Sequence, residues 1–521
     1  MSFARNIATV SGATLLSRLF GFLRDVGIAS ILGAGPLSDA YFAALQIPNL
    51  FRRLLAEGAL NSAFVPLWMR IENESGRFAA RRFSEEVLGT MLLVLGALAI
   101  LCILFAPQVV GLVAPGFTPG GGRFQLAAVF VTLSAPYIAF VSIVAVAASV
   151  LNANGRVGAV SLGIVVFNFV FVIAVGIVLF LDTGASARSG EILSTAVAVA
   201  GVGQLFVVGG ALLRLDTPPL IPRLAFSPQA RRFFVLVGPG VIAGGIPQLK
   251  LMVGAMVASS SQAGVSWLYY ANRLYELPLG VVSIAIAAVM VPLIASSVRD
   301  KDPHAVAAAQ SRAFEIALGL ALPSAVAFAL LAEQIAGGLF QHGEFGPHDT
   351  AAVAAALAAI CAGLPGHVLE KVLGAVSFAH EDTRTPMFTA LAGLATATIL
   401  ALALFPTYGH VGIAAAIAIS GWVGATVLGI VLLKRRWLRL DREARRRLPL
   451  IVLATALMGI VIYFAQGILI STWNTSGSAP ARIGALVALV MLGLTTYGAI
   501  LHFTKALGLR ELLASFTRIR A

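Results

Sequence analysis

Twelve charged side chains lie in stretches of this sequence that are otherwise apolar enough to sit within a membrane. The cations are Arg18, Arg24, Arg52, Arg53, Lys250, Arg273 and Lys371; the acids are Asp25, Asp39, Glu57, Glu276 and Glu370. A charge at that depth costs at least about 2.5–3.5 kcal/mol on insertion scales, so each must turn toward protein or water. Helical spacing decides which can be neutralised locally. Arg53 and Glu57 stand four apart and are expected to pair; Arg273 and Glu276 stand three apart. Arg18 and Asp25 share a face two turns apart, too far for contact. Arg24 and Asp25 are adjacent and are expected to diverge by about 100°. That spacing sends Arg18, Arg24 and Arg52 elsewhere for a counter-charge. One outlet is an acid on another helix, such as Asp39, or snorkelling to the interface. The other is a hydrated, cationic cavity that receives an anion, and two arginines in the interior of one span favour it. A guanidinium stays charged and presents a fork that matches phosphate oxygens bidentately, so a diphosphate suits three or four of them.

The elements that must carry these residues are membrane helices. Of 521 residues, 59% are hydrophobic and 11% charged, and the mean hydropathy is +0.93. A soluble domain carries about 25% charged residues. Hydropathy and Pro/Gly punctuation divide the chain into about fourteen spans, which makes it an all-α polytopic membrane protein. The second span, 37–69, is long for one crossing and is expected to bend at Pro48 or Gly58. The first apolar run leads straight into Arg18 and Arg24, so no cleavable signal is expected. Cys102 and Cys361 lie in apolar runs with no metal spacing or disulfide framework.

The net charge of +13 is distributed by topology. With a cytoplasmic N-terminus, 26 of the 36 Lys and Arg fall in cytoplasmic segments. Only Arg123, Arg188 and Arg482 fall in the opposite loops. This positive-inside asymmetry places both termini in the cytoplasm. Nucleic acid is not an expected partner. The run KRRWLRLDREARRR (434–447) reads as a topology anchor with some anionic-lipid contact. An internal repeat also appears: AYF (40–42) and FVPL (64–67) recur as LYY (268–270) and MVPL (290–293). Arg24 and Lys250 share that offset of 226 to 228. Two parallel six-helix lobes follow, 1–217 and 218–440, with a helix pair and tail over 441–521. Parallel repeats of this kind are a transporter architecture.

Other signals carry less. Asn49 after Pro48 either lines a cavity or serves the backbone freed by the proline. Ser266 is a candidate cavity polar group, although Ser266, Trp267, Tyr269 and Tyr270 together read first as an interfacial aromatic belt. His342, His348 and His410 read as solvated. No nucleophile–base set, Walker motif or metal cluster is visible, so neither catalysis nor a bound cofactor is expected. Membrane potential or an ion gradient is then the physical driving force.

Three segments carry a specific resemblance: SRLFGFLRD (17–25), SDAYFAALQIPNLFRRLLAEGALNSAFVP (38–66) and SWLYYANRLYELP (266–278). They resemble the MurJ/MviN family of bacterial lipid II flippases, within the multidrug/oligosaccharidyl-lipid/polysaccharide exporter superfamily, over essentially the whole chain. The resemblance implies a V-shaped, two-lobed fold with a central cationic cavity, and a groove on the last two helices for an undecaprenyl tail. It implies substrate-binding roles for Arg18, Arg24, Arg52 and Arg273. It assigns gating or charge-pair roles to Asp25, Asp39, Arg53, Glu57, Glu276 and Lys371. Asn272 departs from it, because relatives often carry an acid there. The implied function is movement of lipid II to the periplasmic leaflet of the inner membrane, with membrane lipids and wall-synthesis enzymes as further partners. The alternatives are a flippase for another polyprenyl-diphosphate sugar, a drug exporter, and a non-transporting scaffold of wall synthesis. A cation exporter predicts more acids than cations in the cavity, and here cations exceed acids.

Overall fold

The structure is a computed structural model that describes residues 3–56, 59–219, 221–286, 291–300, 302–475 and 479–504. Among these residues all regular structure is helical. Among the described residues, nine helices or helix pairs are long and apolar enough to cross a membrane. The first helix, α1 (Phe3–Leu32), is long enough as well, but Arg18, Arg24 and Asp25 lower its apolar character.

The expected bend of the second span falls one turn before Pro48. Helix α2 (Pro36–Ala44) ends at Leu45 and α3 (Gln46–Ala56) begins at once. Pro48 thus occupies the first turn of α3, where its missing N–H costs nothing. Gly58, the other expected bend, lies outside the described residues. Helix α4 (Ala59–Leu104) differs more from expectation. Residues 70–84 read as a loop but are helical, with one break at Gly76 (φ 82°). The Arg70–Glu74, Arg81–Glu85 and Arg82–Glu86 pairs, each four apart, line this stretch and favour the helix.

The remaining elements of the first half are α5 (Ala106–Val113), α6 (Gly122–Ser134), α7 (Pro136–Ala153), α8 (Val157–Phe180) and α9 (Ala187–Leu212). The second half runs α10 (Pro228–Ala258), α11 (Gly264–Ala285), α12 (Val291–Arg299), α13 (Pro303–Leu330) and α14 (Ala332–Phe340). It continues with α15 (Pro347–Cys361), α16 (Leu364–Ala379) and α17 (Arg384–Lys434). The chain then adds α18 (Arg442–Thr475) and α19 (Ala479–Thr504). The succession short helix, helix, break, helix over α5–α7 recurs over α14–α16. The offset is that of the sequence repeat. Helix α17 is too long for one crossing and reverses at Gly409 (φ 53°), so it supplies two.

The chain forms two compact units, residues 1–266 with 342–345, and residues 267–341 with 346–521. In the first, α1 packs on α8, α4 on α7, and α8 on α9, while α10 packs against α3 and α4. Segment 342–345 closes the end of α1: the Glu344 N–H donates to Ser30 O (2.9 Å). Gly33 makes this fit, with φ 58° and room for no Cβ, which would lie 2.6 Å from Glu344 O. Gly33→Ala is expected to lower the melting temperature of the purified protein, since a left-handed non-glycine residue alone costs about 1–2 kcal/mol.

In the second unit α16 packs on α17, and the α18–α19 pair packs on α13 and α14. Tyr497 Oη donates to Gly319 O (2.7 Å) and ties α19 to α13. The loop between α16 and α17 is closed by Asp382. Its carboxylate accepts from the Thr385 hydroxyl (2.5 Å), from the Arg384 and Thr385 N–H groups (3.0 Å each), and from Arg435. Burial works to raise the Asp382 pKa. The Thr385 and Arg435 bonds outweigh it and bring the pKa from 3.8 down to about 2. The folded state therefore binds this proton less readily than the unfolded chain. The associated stability is present above about pH 4 and lost as pH falls toward about 2. A melting series over that window is expected to show the loss in wild type and not in Asp382→Asn.

Candidate functional site

On α1, Arg24 is anchored by an acid, an amide and an aromatic ring. Its Nε and Nη2 donate to Asp25 Oδ1 (3.0 and 2.8 Å), and Nη1 donates to Asn168 Oδ1 (3.1 Å) on α8. The guanidinium also lies over the Phe171 ring, 5.3 Å from its centroid. The expected divergence of Arg24 and Asp25 is thus corrected. The 100° separation holds for the Cβ atoms, but a four-torsion side chain folds back far enough to reach its neighbour. Asp25 is buried at 2% exposure, so this charge-assisted contact neutralises a carboxylate that water does not reach. Asn168 is fixed from its other end, where Nδ2 donates to Ser17 O (3.2 Å) and Ser17 Oγ (3.0 Å).

Arg18 lies on the same helix and is exposed, with no acid within ion-pair distance among the described residues. Arg52, half-buried on α3, faces the Phe167 ring at 5.9 Å. Arg53 shares that helix, but its expected partner Glu57 lies outside the described residues. Asn49 is half-buried on α3, and its N–H continues the helix by donating to Leu45 O (3.0 Å). Lys250 is buried on α10.

Asp39 occupies a different place. It has no exposed surface, and its Oδ1 accepts from the Ser266 N–H (2.9 Å) and Oγ (2.6 Å). Its Oδ2 faces Arg123 Nη1 at 3.4 Å. Arg123, at the start of α6, also donates to Ser261 O (2.9 Å) and covers Phe117 at 4.8 Å. Ser38 Oγ and Ser266 Oγ lie 2.9 Å apart, and these serines are separated by the repeat offset of 228. The neutralising cation is thus one of the three outer arginines, not one of the span arginines. Ser266 is fully buried and spends its hydroxyl on Asp39.

In the second unit Arg273 Nη1 reaches Glu276 Oε2 (3.4 Å), as the i,i+3 spacing predicts. Asn272, the departure from the family pattern, donates to Glu276 Oε1 (3.1 Å), so it helps to hold the same carboxylate. Lys371 donates to Ser283 Oγ (2.6 Å). Trp267 Nε1 donates to Asp349 Oδ1 (3.0 Å). This contact joins the starts of α11 and α15, which stand at the repeat offset from Asp39 and Arg123. Two expectations fail here. Tyr270 is fully buried against Phe340 (5.2 Å) and is no interfacial belt residue. His410 is half-buried, packs on Trp267 at 4.7 Å and bonds to Ala352 O (3.0 Å), whereas His348 is exposed.

Three residues were missed from the sequence. Asn168 is a lone amide in the apolar run of α8, a visible signal. Arg123 stands out in the sequence as one of only three Lys or Arg that the charge count assigns to the opposite loops. Glu85 is buried at 1% exposure between Arg81 (2.8 Å) and Arg223 (2.6 Å). No sequence spacing announces its bond to Arg223.

The model of the family described as lipid II flippase MurJ matches residues 28–483. A probable lipid II flippase MurJ of Rhizobium meliloti is 39% identical over the whole of this chain and 96% of its own length. The lipid II flippase MurJ of Burkholderia cenocepacia is 33% identical over 84% of each chain. Among solved structures, lipid II flippase MurJ in an inward closed conformation superposes with a TM-score of 0.79 at 23% identity, covering 97% of this chain and 99% of that one. An inward-facing MATE-family transporter of the MOP superfamily superposes at 0.64 and 16% identity, over 81% and 94% of the two chains. At these identities the structural likeness speaks for the fold.

Proposed function

This chain belongs to the lipid II flippase MurJ family, and from that membership we propose that it moves lipid II from the cytoplasmic to the periplasmic leaflet. It is a multi-pass protein of the bacterial inner membrane. The family is one of transporters, and we read this chain as a non-catalytic one that works by alternating access.

The observation that carries the residue-level reading is the Arg24 arrangement. A guanidinium inside an apolar span is held by an acid, an amide and an aromatic face on α1 and α8. Such a group is fixed in direction and cannot deprotonate, which suits a diphosphate that must be gripped and then released. We assign diphosphate binding to Arg18, Arg24, Arg52 and Arg273. Asp25, Asp39, Arg53, Glu57, Glu276 and Lys371 bias the conformational states through pairs that exchange. Membrane potential supplies about 2.3 kcal/mol per charge per 100 mV, enough to drive a net-charged cycle without ATP.

The test is leaflet accessibility of lipid II in cells depleted of their own flippase and supplied with this protein. Restored periplasmic exposure by wild type, lost in Arg273→Ala at equal expression, supports the reading. Restoration by Arg273→Ala removes that residue from the site. Failure of wild type points to another lipid-linked sugar or to a scaffold.

A further inference from the structure

The basic run 434–447 has no task in the transport reading. It joins α17 to α18, both apolar enough to cross the membrane, so it lies at a membrane surface. The charge asymmetry makes that the cytoplasmic one.

Two of its eight cations are engaged within the protein. Arg435 pairs with Asp382 and covers Trp437 (4.9 Å); Arg447 bridges Glu315 (3.4 Å) and Glu443 (2.8 Å). The other six, Lys434, Arg436, Arg439, Arg442, Arg445 and Arg446, are exposed. Among the described residues none of the six has an acid within ion-pair distance.

The segment is nevertheless built rigidly. Gln310 on α13 donates to Trp437 O (2.9 Å) and accepts from the Arg439 N–H (2.7 Å). Ser311 Oγ accepts from the Asp441 N–H (2.9 Å), and Trp437 stacks on His380 at 4.3 Å. Arg436 holds φ 60°, a left-handed conformation that glycine would adopt without strain. A topology signal needs charge but no shape. Here charge is retained even at a strained position, on a backbone pinned from α13.

We propose that 434–446 is a binding surface for the acidic headgroups of glycerophospholipids in the cytoplasmic leaflet. Guanidinium forks engage the phosphates bidentately, and the adjoining ends of α17 and α18 face the acyl chains.

The experiment reconstitutes the full chain in nanodiscs of phosphatidylcholine and phosphatidylglycerol and measures retained lipid by native mass spectrometry. Wild type is expected to enrich phosphatidylglycerol several-fold, with the enrichment falling as salt rises. Arg439→Gln/Arg442→Gln/Arg445→Gln/Arg446→Gln is expected to return to the bulk ratio, while Arg188→Gln on the outer side does not. Arg436→Gly separates folding from binding. It relieves strain, so it is expected to melt at or above wild type in neutral detergent while losing part of the stabilisation that phosphatidylglycerol gives. Undiminished enrichment in the quadruple variant, or an undiminished lipid-induced melting shift in Arg436→Gly, overturns the proposal.

Discussion

Arg24→Ala is expected to abolish periplasmic exposure of lipid II, the largest functional loss of any single substitution in this chain. Two effects combine. The diphosphate loses the guanidinium that α1 and α8 hold in place. Asp25, buried at 2% exposure, loses the fork that neutralises it at 2.8 Å. Removing one partner from a buried ion pair costs about 3–5 kcal/mol, so some of the loss reads out as reduced stability. Arg24→Lys keeps the charge without the fork and is expected to restore exposure only partly. Asn168→Ala separates the two effects. It leaves the Arg24–Asp25 contact intact and removes the bond that aims Nη1, together with the Nδ2 bonds to Ser17 on α1. A hydrogen bond to a charged group contributes about 1.5–3 kcal/mol, so flipping is expected to slow roughly 10- to 100-fold at near-normal expression. An Asn168→Ala protein with unchanged flipping would mean that the orientation of Arg24 does not matter.

Asp39→Ala has the largest expected effect on stability. The carboxylate is fully buried and accepts two bonds from Ser266 while facing Arg123. Its loss leaves a cation at the start of α6 with its other bond, to Ser261 O, as the remaining anchor. The cost is expected to be about 3–5 kcal/mol, visible as a large fall in melting temperature. The informative comparison is a double-mutant cycle with Arg123→Ala. If Asp39 and Arg123 neutralise one another, the double variant is less destabilised than the sum of the singles, with a coupling of about 0.5–3 kcal/mol. Simple additivity would show that the hydrogen bonds from Ser266, not the charge of Arg123, hold Asp39.

Glu276 offers a milder contrast, because Asn272 and Arg273, which bond to it, are on its own helix. Asn272 and Arg273 reach it at i−4 and i−3, and Arg273 and Glu276 are partly exposed. Water competes for such pairs, which contribute about 0.2–0.5 kcal/mol. The physical setting therefore separates Glu276 from Asp39, although both carry gating roles in the proposal.

What the sequence determined by itself was everything that depends on local periodicity and on the membrane as solvent. Apolar runs fixed the helical class and most span limits, because backbone groups in hydrocarbon must bond within their own segment. Lys and Arg counts gave an expected orientation, and the offset between AYF and LYY announced the repeat that reappears in the order of the elements. The i,i+3 pair Arg273–Glu276 was legible for the same reason. Tertiary structure decided where long side chains end and which distant residues meet. Arg24 reaches Asp25 because a flexible arginine is not bound by the angle between Cβ vectors. It reaches Asn168 only because α1 packs on α8. Asp39 is neutralised from the start of α6, 84 residues away, by a cation that charge counting had assigned to an outer loop. Tyr270 and His410 became interior residues once α14 and α15 supplied walls for them. These contacts depend on packing between separate helices, and no spacing along one helix encodes that.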